Sequence, residues 1–187
     1  MLAAVPTFIS GLPVHVLLVH AVVVLVPLAV LGTVTIAVWP AARQRHGWLV
    51  VALTAVAALV IPLTTSSGEG LRAHLPPDPL IAAHAHLGDE LLPFAGLLLV
   101  AATALVVLDR YRARAAADTR SEGPGAMVVD QPGWTRPASL ALSGLVLVLA
   151  VVTAVQVVRI GDSGARAAWS QVHYVQPLPG RHHGDDD

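Results

Sequence analysis

An all-α fold, a four-helix bundle that spans a membrane, is what this sequence predicts, and three observations carry the prediction. The 187 residues are 55% hydrophobic and only 12% charged, with a mean hydropathy of +0.70, whereas soluble domains carry about 25% charged residues. The apolar residues gather into four segments, each close to the roughly 20 residues that cross a hydrocarbon core as a helix. None of the four alternates in polarity over about ten residues, as the strands of a membrane barrel do.

The first segment runs from Val14 to Trp39. It has no basic stretch before it, it is too long for the apolar core of a signal peptide, and no cleavage site follows promptly, so it reads as a retained span. The second runs from Trp48 to Thr65. The third has its apolar centre at Leu91–Leu108 with a helical prefix from Leu80, giving a span of 80–108, and the fourth runs from Ser139 to Ile160. Pro27, Pro62 and Pro93 fall within or at the ends of spans, where neighbouring groups in a membrane bundle can satisfy the carbonyls they free. The connection from Asp109 to Pro137 is rich in Gly, Pro and charge and reads as a flexible loop. Residues 1–180 thus form a single four-span domain, and 181–187, ending His-His-Gly-Asp-Asp-Asp, read as a disordered tail.

Composition also narrows the function. A net charge of −1 argues against a nucleic-acid partner, which would call for a concentrated basic surface. The absence of cysteine removes disulfides, thiolate metal sites and thiol nucleophiles. All eleven basic residues are arginine, and they divide unevenly between the connections. Arg43, Arg45, Arg110, Arg112, Arg114, Arg120 and Arg136 lie on one side, against Arg72, Arg159, Arg166 and Arg181 on the other. Under the positive-inside rule this seven-to-four division places both termini outside the cytoplasm, in the cell inner membrane.

With that topology the polar residues converge at the outer end. His15 opens span one; Thr64, Thr65, Ser66, Ser67 and Glu69 close span two; His84, His86, Asp89 and Glu90 lead into span three; Arg159 and Asp162 close span four. An ionisable group at such a place in an apolar run marks a ligand, a pathway or a buried partner by default. His15 and His20 are five residues apart, about 140° around a helix, and His84 and His86 are two apart, about 200°. Neither is a chelating pair, so a site has to be assembled between helices. His20, about 7 to 8 Å deeper than His15, and His84 are the expected partners, close enough to share a ligand or a hydrogen bond. The plainer roles are a headgroup or loop contact for His15, an interhelical hydrogen bond for His20, solvation for His74 and His86, and a place in the tail for His173, His182 and His183. Arg159 either snorkels to the headgroups or pairs with Glu69, Asp89 or Glu90. Gly161 and Gly164, flanking Asp162 and Ser163, suit either a tight turn that folds the tail over the histidines or a simple end to span four.

The string Leu12-Pro-Val-His15-Val-Leu-Leu-Val-His20-Ala-Val-Val-Val-Leu-Val-Pro27 resembles the opening signature of the bacterial membrane family known as domain of unknown function 2231. His84-Ala-His-Leu-Gly88-Asp89 is similar to the family's third-span signature, and Arg159-Ile-Gly161-Asp-Ser163-Gly164-Ala-Arg-Ala-Ala-Trp169 to its closing Gly-rich motif. The resemblance covers nearly the whole domain. It implies a compact four-helix integral membrane domain, sometimes joined to cytochrome-like modules, whose activity is not established. His15, His20, His84, Arg159, Gly161, Ser163 and Gly164 match the pattern, whereas Ala21-Val22 stands where many relatives have Phe-Pro.

Three function classes follow. The first is a binding component that holds one b-type haem or a transition-metal ion on His20 and His84, with His15 as a further ligand, because imidazole is the commonest metal ligand and bundle cores build such sites from facing helices. The second is an accessory subunit, working with other membrane proteins or respiratory components, in which the histidines join helices. The third is a small transporter or proton relay, for which no inverted repeat is evident. A catalytic role has no support from any phosphate loop, dinucleotide fingerprint, nucleophile elbow or metalloprotease helix.

Overall fold

The computed structural model describes residues 7–121 and 133–170. The order is a hairpin of β1 (Phe8–Ile9) and β2 (Leu12–Pro13), then α1 (Val14–Val38), α2 (Pro40–Arg72), α3 (Pro79–Asp89), α4 (Leu91–Ser121) and α5 (Thr135–Trp169). Four stretches are long and apolar enough to cross a membrane: α1, α2, α3 with α4, and α5. The expected all-α membrane bundle is therefore what the chain forms, with the hairpin as a small addition that the sequence did not announce. Ser10 and Gly11 both have positive φ, 52° and 80°, the twist that lets a two-residue turn join right-handed strands.

Hydropathy placed the spans, and the helices run past most of its limits. A single extended residue, Trp39 with φ −121° and ψ 99°, separates α1 from α2, and Pro40 sits in the first turn of α2, where its missing N–H matters least. Arg43 and Arg45, expected in a loop, therefore lie on helix. At the far end of α2 the hydroxyls of Thr64, Thr65, Ser66 and Ser67 return to carbonyls three or four residues earlier, so the helix carries its polar residues on to Arg72 without a turn. Asp78 starts α3 by accepting a hydrogen bond from the Leu80 N–H at 2.7 Å, with Pro79 behind it. The expected loop from Asp109 begins instead as helix, since α4 continues to Ser121 through arginines and alanines that favour that conformation. Residues 122–132 lie outside the described residues, as do His173, His182, His183 and the tail from Arg181.

The closing motif is also corrected. α5 passes straight through Gly161 and Gly164 to Trp169, and Gly11 is the only glycine with positive φ among the described residues. A helical glycine costs about 1 kcal/mol relative to alanine, too little to end a helix whose last turns pack along α3.

The helices form a ring in which α1 packs on α2 and α5, and α4 on the same two, with α3 laid against α5 at one end. The core is built from small and branched residues, among them Ala29, Ala57, Ala101, Ala150 and Val146. Gly32 faces Val50 at 3.2 Å and Gly47 faces Val106 at 2.9 Å, measured from where a Cβ would stand. Such small residues let membrane helices approach closely where apolar surroundings give no hydrophobic drive to association. Ile61, Leu98 and Leu105 fill the remaining core, while many other large apolar side chains point outward: Leu31, Leu49, Leu59, Val100 and Leu140 are all exposed, as lipid-facing residues should be.

Candidate functional site

The ring of helices has two polar ends. The hairpin, the C-terminal turns of α2, α3 and the C-terminal turns of α5 meet at one, called here the histidine end. The α1–α2 junction, the C-terminal part of α4 and the start of α5 meet at the other, the arginine end.

At the histidine end two glycines seat two imidazoles. His15, in the first turn of α1, lies on Gly68 of α2; a Cβ there would stand 2.9 Å from the ring Cε1. His84 of α3 lies on Gly164 of α5, where a Cβ would again stand 2.9 Å from Cε1. The rings meet edge to face with centroids 6.4 Å apart and planes at 78°, so the pair ties together four helices.

The hydrogen bonds orient both rings and assign their tautomers. His15 Nδ1 lies 3.0 Å from the Thr64 carbonyl, an acceptor only, so Nδ1 donates and Nε2 keeps its lone pair. Ser67 Oγ gives its proton to the same carbonyl at 2.8 Å and stands 3.4 Å from His15 Nδ1. His84 Nδ1 lies 3.1 Å from Ser163 Oγ, and that hydroxyl also stands 2.9 Å from the Ile160 carbonyl; with the Ser163 proton placed on Ile160, Nδ1 donates here too. Assigned from the network in this way, both rings are Nδ1–H tautomers with Nε2 available.

The partner expected for His84 is thus replaced. His20 is exposed on α1, its Nδ1 returning to the Val16 carbonyl at 2.6 Å, and the ring beside His84 is that of His15. The 140° between the two histidines explains the exchange: once His15 faces the bundle, His20 five residues on must face away from it. Glu69 and Asp89 are exposed, and Gly161 has nothing within 4 Å of its Cβ position. Arg159 joins none of its three expected partners directly. Its Nη1 donates to Gln156 Oε1 at 3.4 Å, and Gln156 Nε2 donates to Glu90 Oε2 at 2.9 Å and the Leu87 carbonyl at 3.3 Å. His86 is exposed and stands 3.4 Å from Glu90, in keeping with the solvated role expected of it.

Sequence reasoning missed Gln156 and Gly68. Gln156 was visible as a lone amide inside the apolar run of the fourth span, the pattern by which membrane helices hydrogen-bond to one another. Gly68 carries no such mark, because a glycine's role as a ring seat depends on which helix crosses it. Among the described residues no group of three His, Cys, Asp or Glu is arranged to hold a metal ion.

The arginine end is held by charge. Arg43 Nε donates to Asp109 Oδ1 at 3.2 Å, both side chains being under a tenth exposed, and Arg43 Nη1 donates to the Ile36 carbonyl at 3.1 Å. Arg110 Nη2 reaches the Gln44 carbonyl at 2.7 Å, so α4 is tied twice to α2.

A family model described as a predicted membrane protein, DUF2231, matches residues 11–177. No curated protein matches, and no solved structure does.

Proposed function

The chain belongs to the DUF2231 family of predicted membrane proteins, and we propose on that premise that it is a binding protein whose His15–His84 pair takes a transition-metal ion at the outer face of the inner membrane. The observation that carries the reading is the shared orientation of the two rings. Each Nδ1 is turned to an oxygen of the helix its ring rests on, and with Nδ1 protonated each Nε2 is left as a donor atom, the arrangement in which second-shell acceptors orient metal-ligating histidines. Imidazole suits zinc, copper, iron and nickel. Two ligands come from this chain, and water or a partner protein completes the shell.

Metal analysis of the detergent-purified protein after exposure to zinc or copper, with an absorption spectrum on the same sample, tests the reading. Wild type and His20→Ala should hold one ion per chain, and His15→Ala and His84→Ala should lose it. No bound metal in wild type, together with slightly lowered melting temperatures for the His15 and His84 variants, would leave the histidines as helix-joining groups of an accessory subunit. A Soret band in wild type would replace the ion with haem.

The arginine division supports placing the histidine end outside the cytoplasm. A C-terminal reporter active only in the periplasm should therefore be active; a signal confined to a cytoplasmic reporter reverses the orientation and moves the site to the inner face.

A further inference from the structure

α3 is held differently from the four long helices. None of its residues from Pro79 to Asp89 is buried, whereas α1, α2, α4 and α5 each bury several. It is set off from α4 at Glu90, which is non-helical, and the chain from α2 reaches it through residues 73–78, which include Pro76 and Pro77. Both of its ends are thus joints. Its polar ties to α5 come from His84, which rests on Gly164 and meets Ser163, and from Gln156 Nε2, which donates to the Leu87 carbonyl and to Glu90. Beside those ties, Leu80, Ala83 and Leu87 face Asp162 and Arg166 across a cavity of about 270 Å³. A segment with few buried apolar contacts opens at a lower free energy than the rest of its fold.

The histidine pair bridges this loosely held helix and the ring. His15 belongs to α1 and is seated on Gly68 of α2, while His84 travels with α3. Lifting α3 off α5 therefore carries His84 away from His15, and its return brings the rings back to 6.4 Å. An ion on both Nε2 atoms would join α3 to α1.

Resting on the metal-binding reading above, we propose that α3 is a hinged arm that opens off α5 to pass the ion to and from the His15–His84 pair, and that the bound ion locks it closed. An ion held only by the closed arm suppresses opening by the factor 1 + [ion]/Kd, about 100-fold at about 100 times Kd. An arm that must open before the ion enters or leaves gates both steps. Loosening it then speeds capture and release alike and leaves the affinity unchanged.

Amide hydrogen exchange of the full chain in nanodiscs, read by mass spectrometry with and without zinc, provides the test. Without zinc, α3 should exchange faster than residues 64–68 of α2 and 160–164 of α5, which lie at the same end. Zinc at about 100 times Kd should slow α3 about 100-fold, and His15→Ala should abolish that slowing. Gln156→Leu removes the two bonds from α5 to the arm and touches neither ring. In that variant α3 should exchange about three- to eightfold faster without zinc, the worth of one to two interhelical hydrogen bonds. A chelator should strip its zinc faster by the same factor, at unchanged affinity. Wild-type exchange at residues 64–68 and 160–164 shows that the variant folds. Zinc held by wild type without slowing of α3, α3 exchange no faster than at those neighbouring turns, or zinc release unchanged by Gln156→Leu would overturn the arm and leave the metal site standing. No zinc held by wild type would overturn the metal site, and the lock with it.

Discussion

The two ends of this bundle solve one problem in opposite ways. At the arginine end, α2 and α4 are joined by full charges, Arg43 against Asp109 in a setting almost closed to solvent. At the histidine end, α1, α2, α3 and α5 are joined by neutral rings resting on bare backbone, each oriented by an oxygen of the helix it sits on. A buried ion pair is rigid and loses much when one partner goes, because the other charge is left unpaired. A seated imidazole loses only a modest hydrogen bond and keeps a nitrogen free for something else. The difference teaches where to look for structure and where for chemistry: the expensive groups hold the bundle, and the inexpensive ones are placed to be used.

The largest effect should come from breaking the charged end. Asp109→Ala leaves Arg43 buried with its carbonyl contact alone, and removing one member of a buried pair costs about 3–5 kcal/mol. Thermal unfolding in detergent should show this as the deepest loss of any single change discussed here, and little or no loss would mean that water reaches Arg43 and that the ends do not differ in kind.

Next come the glycine seats, where three similar substitutions should part ways. Gly164→Ala places a methyl 2.9 Å from His84 Cε1 and Gly68→Ala does the same to His15; overfilling a packed site costs about 1–3 kcal/mol, and the displaced ring should show a shifted His84 Hε1 resonance. Gly161→Ala meets nothing within 4 Å in the same helix and should instead stabilise the protein by up to about 1 kcal/mol through helix propensity. Equal behaviour of Gly161 and Gly164 would remove the idea of a seat.

These contrasts also show what the sequence could convey. The four spans were legible because hydropathy measures how much chain lies in hydrocarbon, and α1, which ends where its apolar run ends, was placed to within a residue. The same measure says nothing about a helix once it leaves the lipid, which is why α2, α4 and α5 run beyond Thr65, Leu108 and Ile160. The gathering of His15, His84 and Ser163 at one end was legible from topology. The choice between His15 and His20 was not, since both lie on one helix and only the packing of α1 on α2 decides which faces inward. Asp109 read as the first residue of a loop, and its burial opposite Arg43 depends on two helices whose 66-residue separation along the chain leaves no local pattern.

The smallest change should be the most telling. Ser163→Ala removes the hydroxyl 3.1 Å from His84 Nδ1 and leaves Gly164 and the ring in place. Interhelical hydrogen bonds measured in a membrane protein average about 0.6 kcal/mol, so the melting temperature should barely move, far less than for Asp109→Ala. If the histidine end only joins helices, nothing else should follow. If His84 Nε2 is a metal ligand, Nδ1 has lost its side-chain partner and keeps only the Ile160 carbonyl, and loss of such an outer partner lowers metal affinity by about 10–100-fold. Ser67→Ala beside His15 should do less, because Thr64 still accepts from that ring at 3.0 Å. Zinc or copper titrations of wild type, Ser163→Ala and Ser67→Ala, run beside their melting curves, would then show affinity and stability falling separately. Matched falls in both would return the histidine end to the same structural role as the arginine end.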